Sequence, residues 1–514
     1  MPLYAAAPSE EESEHYYDGL PSRPRLISRS SQRVWTPQRG ALWEAAEKEL
    51  RPIDDHDIVS LWNMEGQNSL RSSVIEILDL LAIDWRSLDV LRIGLEESGF
   101  FPAVIAIGVS DAVKFPETSD AIRSIMILLN SLELNDVEVE FRTSYVNRLS
   151  IADANHNTVH PAYQATAHQL SDVVGNSIAS GHTPGVEGTR GVFLRTVDPH
   201  VPKQTFALTC RHVFYASSEA GDLKPSAQSL PIRTALQPGN LTLQRLEEDM
   251  ADSRSVWESQ LKPMIERQDW DTSVHAEMVE PKAKLETVGK LEARLKQIST
   301  TASRVIGTAA FSRTPAVKFH DHMSDWVLVK LDQQAFENDI SQLTNLVYLP
   351  NLNLNSQFGK KESTGSIPAT GLFRLNGHVP SSEFWPIAKP IVKGKIVGKC
   401  GRTTGHTWGT INQCQSVIRS PSASNVMMKS TEICVIHYDK PKHKVFSAKG
   451  DSGSTVFDLL GRVVGTLSAG ATAQEVGADL DFWNVDLACD ISYVSPLAWQ
   501  LEDMEDFGIK LEVA

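Results

Sequence analysis

The chain has 514 residues, 41% of them hydrophobic and 22% charged, with a formal net charge of −15 at pH 7. That length exceeds what one hydrophobic core organises and calls for two or three structural units, while the composition is that of an ordinary globular protein. The acidic balance argues against a general binder of nucleic acid or of an anionic membrane surface, since both need a basic face.

The opening residues Met1-Pro2-Leu3-Tyr4 and Ser9-Glu10-Glu11-Glu12 supply neither the basic nor the apolar region of a secretory signal, and no apolar run reaches membrane-spanning length. The expectation is an intracellular protein, cytoplasmic or nuclear, without a signal peptide and without membrane contact. Cys210, Cys400, Cys414, Cys434 and Cys489 are an odd, scattered set that reads as reduced thiols. His406 lies between Cys400 and Cys414, but the spacing matches no CxxC pattern. These residues therefore read as packed side chains, and neither a metal nor another cofactor is expected.

In chain order, residues 1–40 are rich in Pro, Ser, Arg and Glu and read as a flexible leader. Residues 41–150 read as a small α/β domain. Leu70, Val74, Ile77, Leu78 and Leu81 recur at helical spacing, as do Ile122, Ile125, Met126 and Leu129, while Ala103 to Val109 is a buried-type strand and Val137 to Phe141 an alternating one. No catalytic constellation falls in this domain, so a structural or partner-binding role is expected. Residues 151–184 read as a linker with a short helix around 169–178. A β pattern begins with Gly188-Thr189-Arg190-Gly191-Val192 and occupies 185–345. It is interrupted at 238–300 by a helical hairpin, in which Leu243, Leu246, Met250, Trp257 and Leu261 form one periodic run and Val288, Leu291, Leu295 and Ile298 another, with Pro263 between them. The hairpin is read as packing its two helices on each other, with partner binding as the alternative. A linker at 346–370 leads to a second β unit at 371–500, and 501–514 read as a C-terminal tail.

Three short stretches carry chemistry. Gly450-Asp451-Ser452-Gly453 is a tight turn that exposes the Ser452 hydroxyl and aims the Gly450 and Ser452 N–H groups at one point, which makes an oxyanion hole. Serine needs a base, and His212 follows the apolar run Phe206-Ala207-Leu208 within Thr209-Cys210-Arg211-His212-Val213. The imidazole in turn needs an orienting carboxylate. Asp325, which opens the strand-like Val327-Leu328-Val329, is preferred over nearby Asp321. The chain order is His, Asp, Ser.

On these residues the chain resembles the trypsin/chymotrypsin-like serine proteases over roughly residues 185–500, and the N-terminal third lies outside the likeness. The resemblance implies a chymotrypsin-like double antiparallel β-barrel with a helical insertion, preceded by the small α/β domain, with His212 and Asp325 on the first barrel and Ser452 on the second. It implies that Ser468, Ala469 and Gly470, on the strand returning after the serine, pair with the substrate backbone. Phe446, six residues before Ser452, is implied at the base of the pocket for the residue preceding the cleaved bond. Phe446 supplies no carboxylate to select Lys or Arg, so a small or apolar residue is expected there. The cationic run Lys440-Pro441-Lys442-His443-Lys444 reads as a solvated loop. Ser454 departs from the second glycine of many members, and the disulfides of secreted members have no counterpart. The expected function is an intracellular serine endopeptidase acting on polypeptides. The alternative is a catalytically silent protease-like scaffold that binds protein partners through its N-terminal domain or helical insertion.

Overall fold

A computed structural model describes residue 5 and residues 7–36, 47–95, 98–149, 162–197, 203–267, 274–349, 354, 358, 367–368, 370–384, 395–422, 426–438, 445–473 and 488–514. The cationic loop at 440–444 and much of the linkers at 151–184 and 346–370 lie outside the described residues.

Among the described residues the strands assemble into two large curled sheets, with helices packed between and around them. The second β unit is a ring of six antiparallel strands. Ile396–Gly401 pairs with Gly405–Ile411, which pairs with Met427–His437, then Ile491–Pro496, Val463–Thr472 and Thr455–Asp458, and the last returns to Ile396–Gly401. Closure leaves no open edge within the ring and surrounds an apolar interior that includes Val397, Val435, Val456, Val464, Leu467 and Val494. The first β unit is an open, curled sheet running Phe193–Thr196, Thr205–Thr209, Val327–Leu331, Val305–Ser312, Thr234–Leu236, Ser177–Ser180 and Glu187–Thr189. Its alternating side chains fill the core around Phe193, Ala207, Val327 and Val329.

The helices Asn240–Arg267 and Val279–Gln297 lie in sequence between Thr234–Leu236 and Val305–Ser312. They bury Leu243, Leu246 and Met250 against Val288 and Leu295. Pro263 lies inside the first of these helices rather than between the two. The short helix expected at 169–178 is instead Ala162–Gln169, because the residues from Ser177 onward already belong to the first sheet.

Two terminal expectations change. Residues within the expected leader form the helix Glu10–His15 and the strand Leu26–Arg29, the latter paired with Val137–Thr143. The Tyr16 and Tyr17 hydroxyls each donate a 2.6 Å hydrogen bond to the buried Glu140 carboxylate, so long-range partners order a stretch whose own composition looks unstructured. The expected C-terminal tail holds part of the helix Leu497–Phe507 and the strand Leu511–Val513, which adds to the first sheet beside Phe193–Thr196. From this helix Asp503 accepts from Trp326 Nε1 at 2.6 Å and from Ser324 Oγ, the two residues flanking Asp325.

The N-terminal strands Val137–Thr143, Ala103–Val109 and Trp85–Leu95 form a sheet backed by the helices Leu70–Leu80 and Phe115–Ser131. That sheet does not end at a domain boundary. Trp85–Leu95 pairs with Ser416–Pro421, which pairs with Met427–His437 of the six-stranded ring, so one continuous ladder joins the N-terminal unit to the second barrel. Asn412 ties the same joint, accepting from Ile53 N–H and donating to Val90 O, both at 2.8 Å.

On the face of Met427–His437 opposite Ile433 and Val435, Glu432 is buried, and among the described residues the Ser430 and Ser495 hydroxyls and the Met323 N–H reach its carboxylate. Burial raises its carboxyl from the ordinary 4.5 to about 7. Between those two values the folded chain binds a proton that the unfolded chain releases, so stability falls as pH rises through this window. Urea unfolding of wild type and Glu432→Gln at about pH 5 and about pH 8 checks this. Wild type is expected to lose on the order of 1–3 kcal/mol more than the variant, whereas equal losses would contradict it.

Candidate active site

His212 sits on the single turn Arg211–Phe214, directly after the strand Thr205–Thr209, and Asp325 sits just before the strand Val327–Leu331. These strands are antiparallel partners with Thr209 opposite Val327, so both side chains emerge past the same end of one ladder. His212 N–H donates to Asp325 Oδ1 at 3.1 Å, and His212 Nδ1 lies 2.6 Å from Asp325 Oδ2. Burial by itself would raise the Asp325 carboxyl. The His212 and Arg148 charges and the two His212 hydrogen bonds outweigh it and hold the carboxyl below the ordinary carboxylate range. An ionised Asp325 places the imidazole proton on Nδ1 and leaves Nε2 free to accept.

Ser452 comes from the second barrel, on the turn before Thr455–Asp458, and its Oγ lies 2.8 Å from His212 Nε2. The three sequence-derived side chains therefore form one buried hydrogen-bonded row across the seam between the sheets. The seam is pinned by Thr189 of the first sheet: its N–H donates to Ser452 O at 2.7 Å, and its hydroxyl donates to Gly450 O at 3.1 Å. A buried Arg402–Glu187 pair at 2.8 Å spans the same seam. Within the turn, Gly450 (φ +102°) and Gly453 (φ +92°) occupy the left-handed region. A Cβ on Gly453 would stand 2.1 Å from Thr189 O, so only glycine fits this approach of the two sheets.

Asp451 is the turn's internal brace. Its carboxylate accepts from the N–H groups of Thr403 (2.9 Å), Thr404 (3.2 Å) and Ala448 (3.1 Å) and lies 3.2 Å from the Lys399 ammonium, with both side chains fully buried. These bonds orient the peptide units on either side of Ser452, so the N–H groups of Gly450 and Ser452 point to a common acceptor. That acceptor is present. Both donate to the carbonyl oxygen of Leu149, with Ser452 N at 3.3 Å.

Leu149 is delivered by the strand Tyr145–Arg148, which runs antiparallel to the return strand Val463–Thr472 with Arg148 opposite Ala469 and Asn147 opposite Gly470. The Leu149 side chain is buried in the apolar cluster that includes Phe446, Leu467 and Cys489. Phe446 thus lies where an apolar side chain is received, and the Lys399 ammonium stands 5.7 Å over its ring. The candidate residues His212, Asp325, Ser452, Gly450, Phe446, Ser468, Ala469 and Gly470 accordingly surround one locus. The further contributors Leu149, Lys399, Thr189 and Asp503 carry no local sequence signal. Their partners are far away in the chain.

Cys400 and His406 face each other across one ladder, whereas Cys414 packs in the core of the N-terminal sheet, so the three do not converge. Among the described residues one group of metal-type ligands does converge, Cys210, His212 and Asp325. Two of its members are bound to each other, and burial pushes the Cys210 thiol well up, which suppresses the thiolate a metal needs. All five cysteines are unpaired, and among the described residues no helix is long and apolar enough to cross a membrane.

No family model matches the chain, and no curated protein matches it. Among solved structures it is similar to protease A of Thermobifida fusca, with 14% identity, a TM-score of 0.30 and coverage of 66% of this chain and 98% of that one. It is similar to a glutamic acid-specific serine protease, with 10% identity, a TM-score of 0.31 and coverage of 66% and 100%. It is also similar to Cellulomonas bogoriensis chymotrypsin, with 17% identity, a TM-score of 0.21 and coverage of 40% and 75%. These likenesses are distant, and the chemistry of the site rests on its own atoms.

Removing one member of a buried ion pair strands the other as an uncompensated charge, at a cost of about 3–5 kcal/mol. Lys399→Met is therefore expected to lower the melting temperature and, by loosening the Asp451 brace, to reduce reactivity at Ser452. Adding Asp451→Asn is expected to restore much of the stability. Calorimetry of wild type and these two variants checks this, and an unchanged melting temperature in Lys399→Met would contradict the brace.

Proposed function

We propose that the chain is a serine endopeptidase that hydrolyses polypeptides through an acyl-enzyme on Ser452. The observation that carries this reading is the row Asp325 Oδ2, His212 Nδ1, His212 Nε2 and Ser452 Oγ, at 2.6 and 2.8 Å, with two N–H donors converging beside it on one carbonyl oxygen.

Ser452 Oγ attacks the carbonyl carbon while its proton passes to His212 Nε2. The negative charge that develops on the carbonyl oxygen is met by Gly450 N–H and Ser452 N–H, each donor of this kind being worth about 10²–10³ in rate. His212 then gives the proton to the leaving amine, and a water repeats the sequence on the ester. Asp325 holds the tautomer and stabilises the imidazolium. In the ground state the Ser452 hydroxyl has two acceptors in reach, Nε2 at 2.8 Å and Ser468 O at 3.1 Å, so attack requires the proton to favour the imidazole. No metal enters any step.

The receiving cluster around Phe446 supports an apolar P1 residue, leucine foremost. A Lys or Arg side chain there would desolvate a cation without a counter-ion and face the Lys399 ammonium. The five unpaired, buried or half-buried cysteines support a reducing compartment. The silent-scaffold alternative would need a collapsed oxyanion turn, and convergence of both N–H groups on Leu149 O speaks against collapse.

Fluorophosphonate labelling of the Leu149→Asp variant, whose residue 149 no longer suits the apolar cluster beside Ser452, tests the nucleophile. The adduct is expected on Ser452 and is expected to vanish in Ser452→Ala, with His212→Ala labelling at least about 10³-fold more slowly. An adduct on another residue, or none, would contradict the reading. A peptide library offered to the same Leu149→Asp variant tests the pocket, with cleavage after Leu expected to exceed cleavage after Lys or Arg by about 10²-fold or more. A preference for basic residues would overturn the assignment of Phe446.

A further inference from the structure

The cleft described above already holds a piece of this chain, bound as a substrate is bound. Tyr145–Arg148 adds to the return strand in register, which brings Leu149 level with Ser468 and Ser452. Two demands on the residue that precedes a cleaved bond are then met at once, and a third contact places its backbone beside the nucleophile. The Leu149 carbonyl oxygen takes both oxyanion donors, the Leu149 side chain fills the apolar pocket, and Leu149 N–H donates to the nucleophile Ser452 Oγ at 2.9 Å. Neighbouring side chains fix the segment further. Asn147 Nδ2 lies 2.6 Å from Thr472 Oγ1, and Arg148 Nη1 lies 3.4 Å from Ser217 Oγ beside the His212 turn.

The segment follows directly on Val137–Thr143 of the N-terminal sheet, which is continuous with the six-stranded ring. It therefore reaches Ser452 without diffusion, and an intramolecular reaction of this kind gains a large effective concentration.

We propose that Leu149 is a self-cleavage site: the chain hydrolyses the peptide bond following Leu149 in cis, and the new Leu149 carboxylate remains in the cleft as a tethered product. This rests on the endopeptidase reading above. Ser452 Oγ bonds to the Leu149 carbonyl carbon as its proton moves to His212, the C–N bond breaks, and the amine of the following residue leaves with that proton. Water then adds to the Leu149 ester and returns a proton through His212 to Ser452 Oγ, leaving a Leu149 carboxylate. Nothing is oxidised or reduced, and water is the one co-reactant. The N-terminal fragment stays attached through the shared ladder and the Asn412 bonds, so the cut chain is occluded by its own product until that unit is displaced.

The test is intact mass and N-terminal sequencing of the full chain. Wild type is expected as co-eluting fragments 1–149 and 150–514, at a rate independent of dilution, and Ser452→Ala as one intact chain that added wild type leaves uncut. Leu149→Asp is expected to slow the cut by at least about 10²-fold, because the pocket rejects the charge, and to raise hydrolysis of an added leucyl peptide at least tenfold. Leu149→Met, which preserves volume and polarity, is expected to be cut like wild type and guards against a folding defect. A cut at any other bond, or an uncut wild type whose Leu149→Asp counterpart still labels at Ser452 with fluorophosphonate, overturns the proposal and leaves the endopeptidase reading standing. An uncut, unlabelled chain overturns both.

Discussion

A hydrogen bond of 2.8 Å between Ser452 Oγ and His212 Nε2 joins side chains that belong to two different sheets. Neither sheet alone determines its length. Two close-packed β units transmit small shifts rigidly, so the bond survives only where the seam itself is specified atom by atom. Thr189 does this with hydrogen bonds to both sides of the serine turn, Gly453 by allowing the backbones to meet, and Arg402 with Glu187 by a charged pair excluded from water. Asp503, from the last helix, holds both residues that flank Asp325, so the carboxylate end of the row is fixed from the opposite side.

The buried charges have a common logic. Lys399 and Asp451 would each be costly inside the ring, yet together with three N–H donors they hold the oxyanion turn in a conformation that its left-handed glycines make accessible. Glu432, buried on the opposite face of a ring strand, has hydroxyl and N–H donors to offset its burial among the described residues, and its carboxyl is pushed up to about 7. One buried carboxylate thus stiffens the site, and another makes the stability of its barrel sensitive to pH.

Legibility in the sequence followed distance along the chain. His212, Asp325 and Ser452 each sit in a short stretch whose apolar strand and turn residues announce a side chain at a strand end, so their roles could be assigned before their meeting was seen. The repeating β pattern pointed to closed antiparallel barrels, whereas the first unit is an open, curled sheet and the second a closed ring. What stayed hidden depends on long-range pairing. The leader looked unstructured because Glu140, which orders Tyr16 and Tyr17, is more than a hundred residues away. The tail looked incidental because its value lies in Asp503. Leu149 lies 303 residues from Ser452, and nothing in Tyr145-Val146-Asn147-Arg148 names the return strand as its partner. The one available signal was the match between an apolar pocket base at Phe446 and an apolar residue ending the N-terminal unit.

If His212 and Ser452 act as one device across the seam, their deletions must not multiply. A double-mutant cycle in the Leu149→Asp background, reading kcat/KM on a leucyl anilide for His212→Ala, Ser452→Ala and the pair, measures this directly. The account predicts that the double variant is no slower than the worse single variant, within about threefold. Losses that multiply would show two independent groups and contradict it.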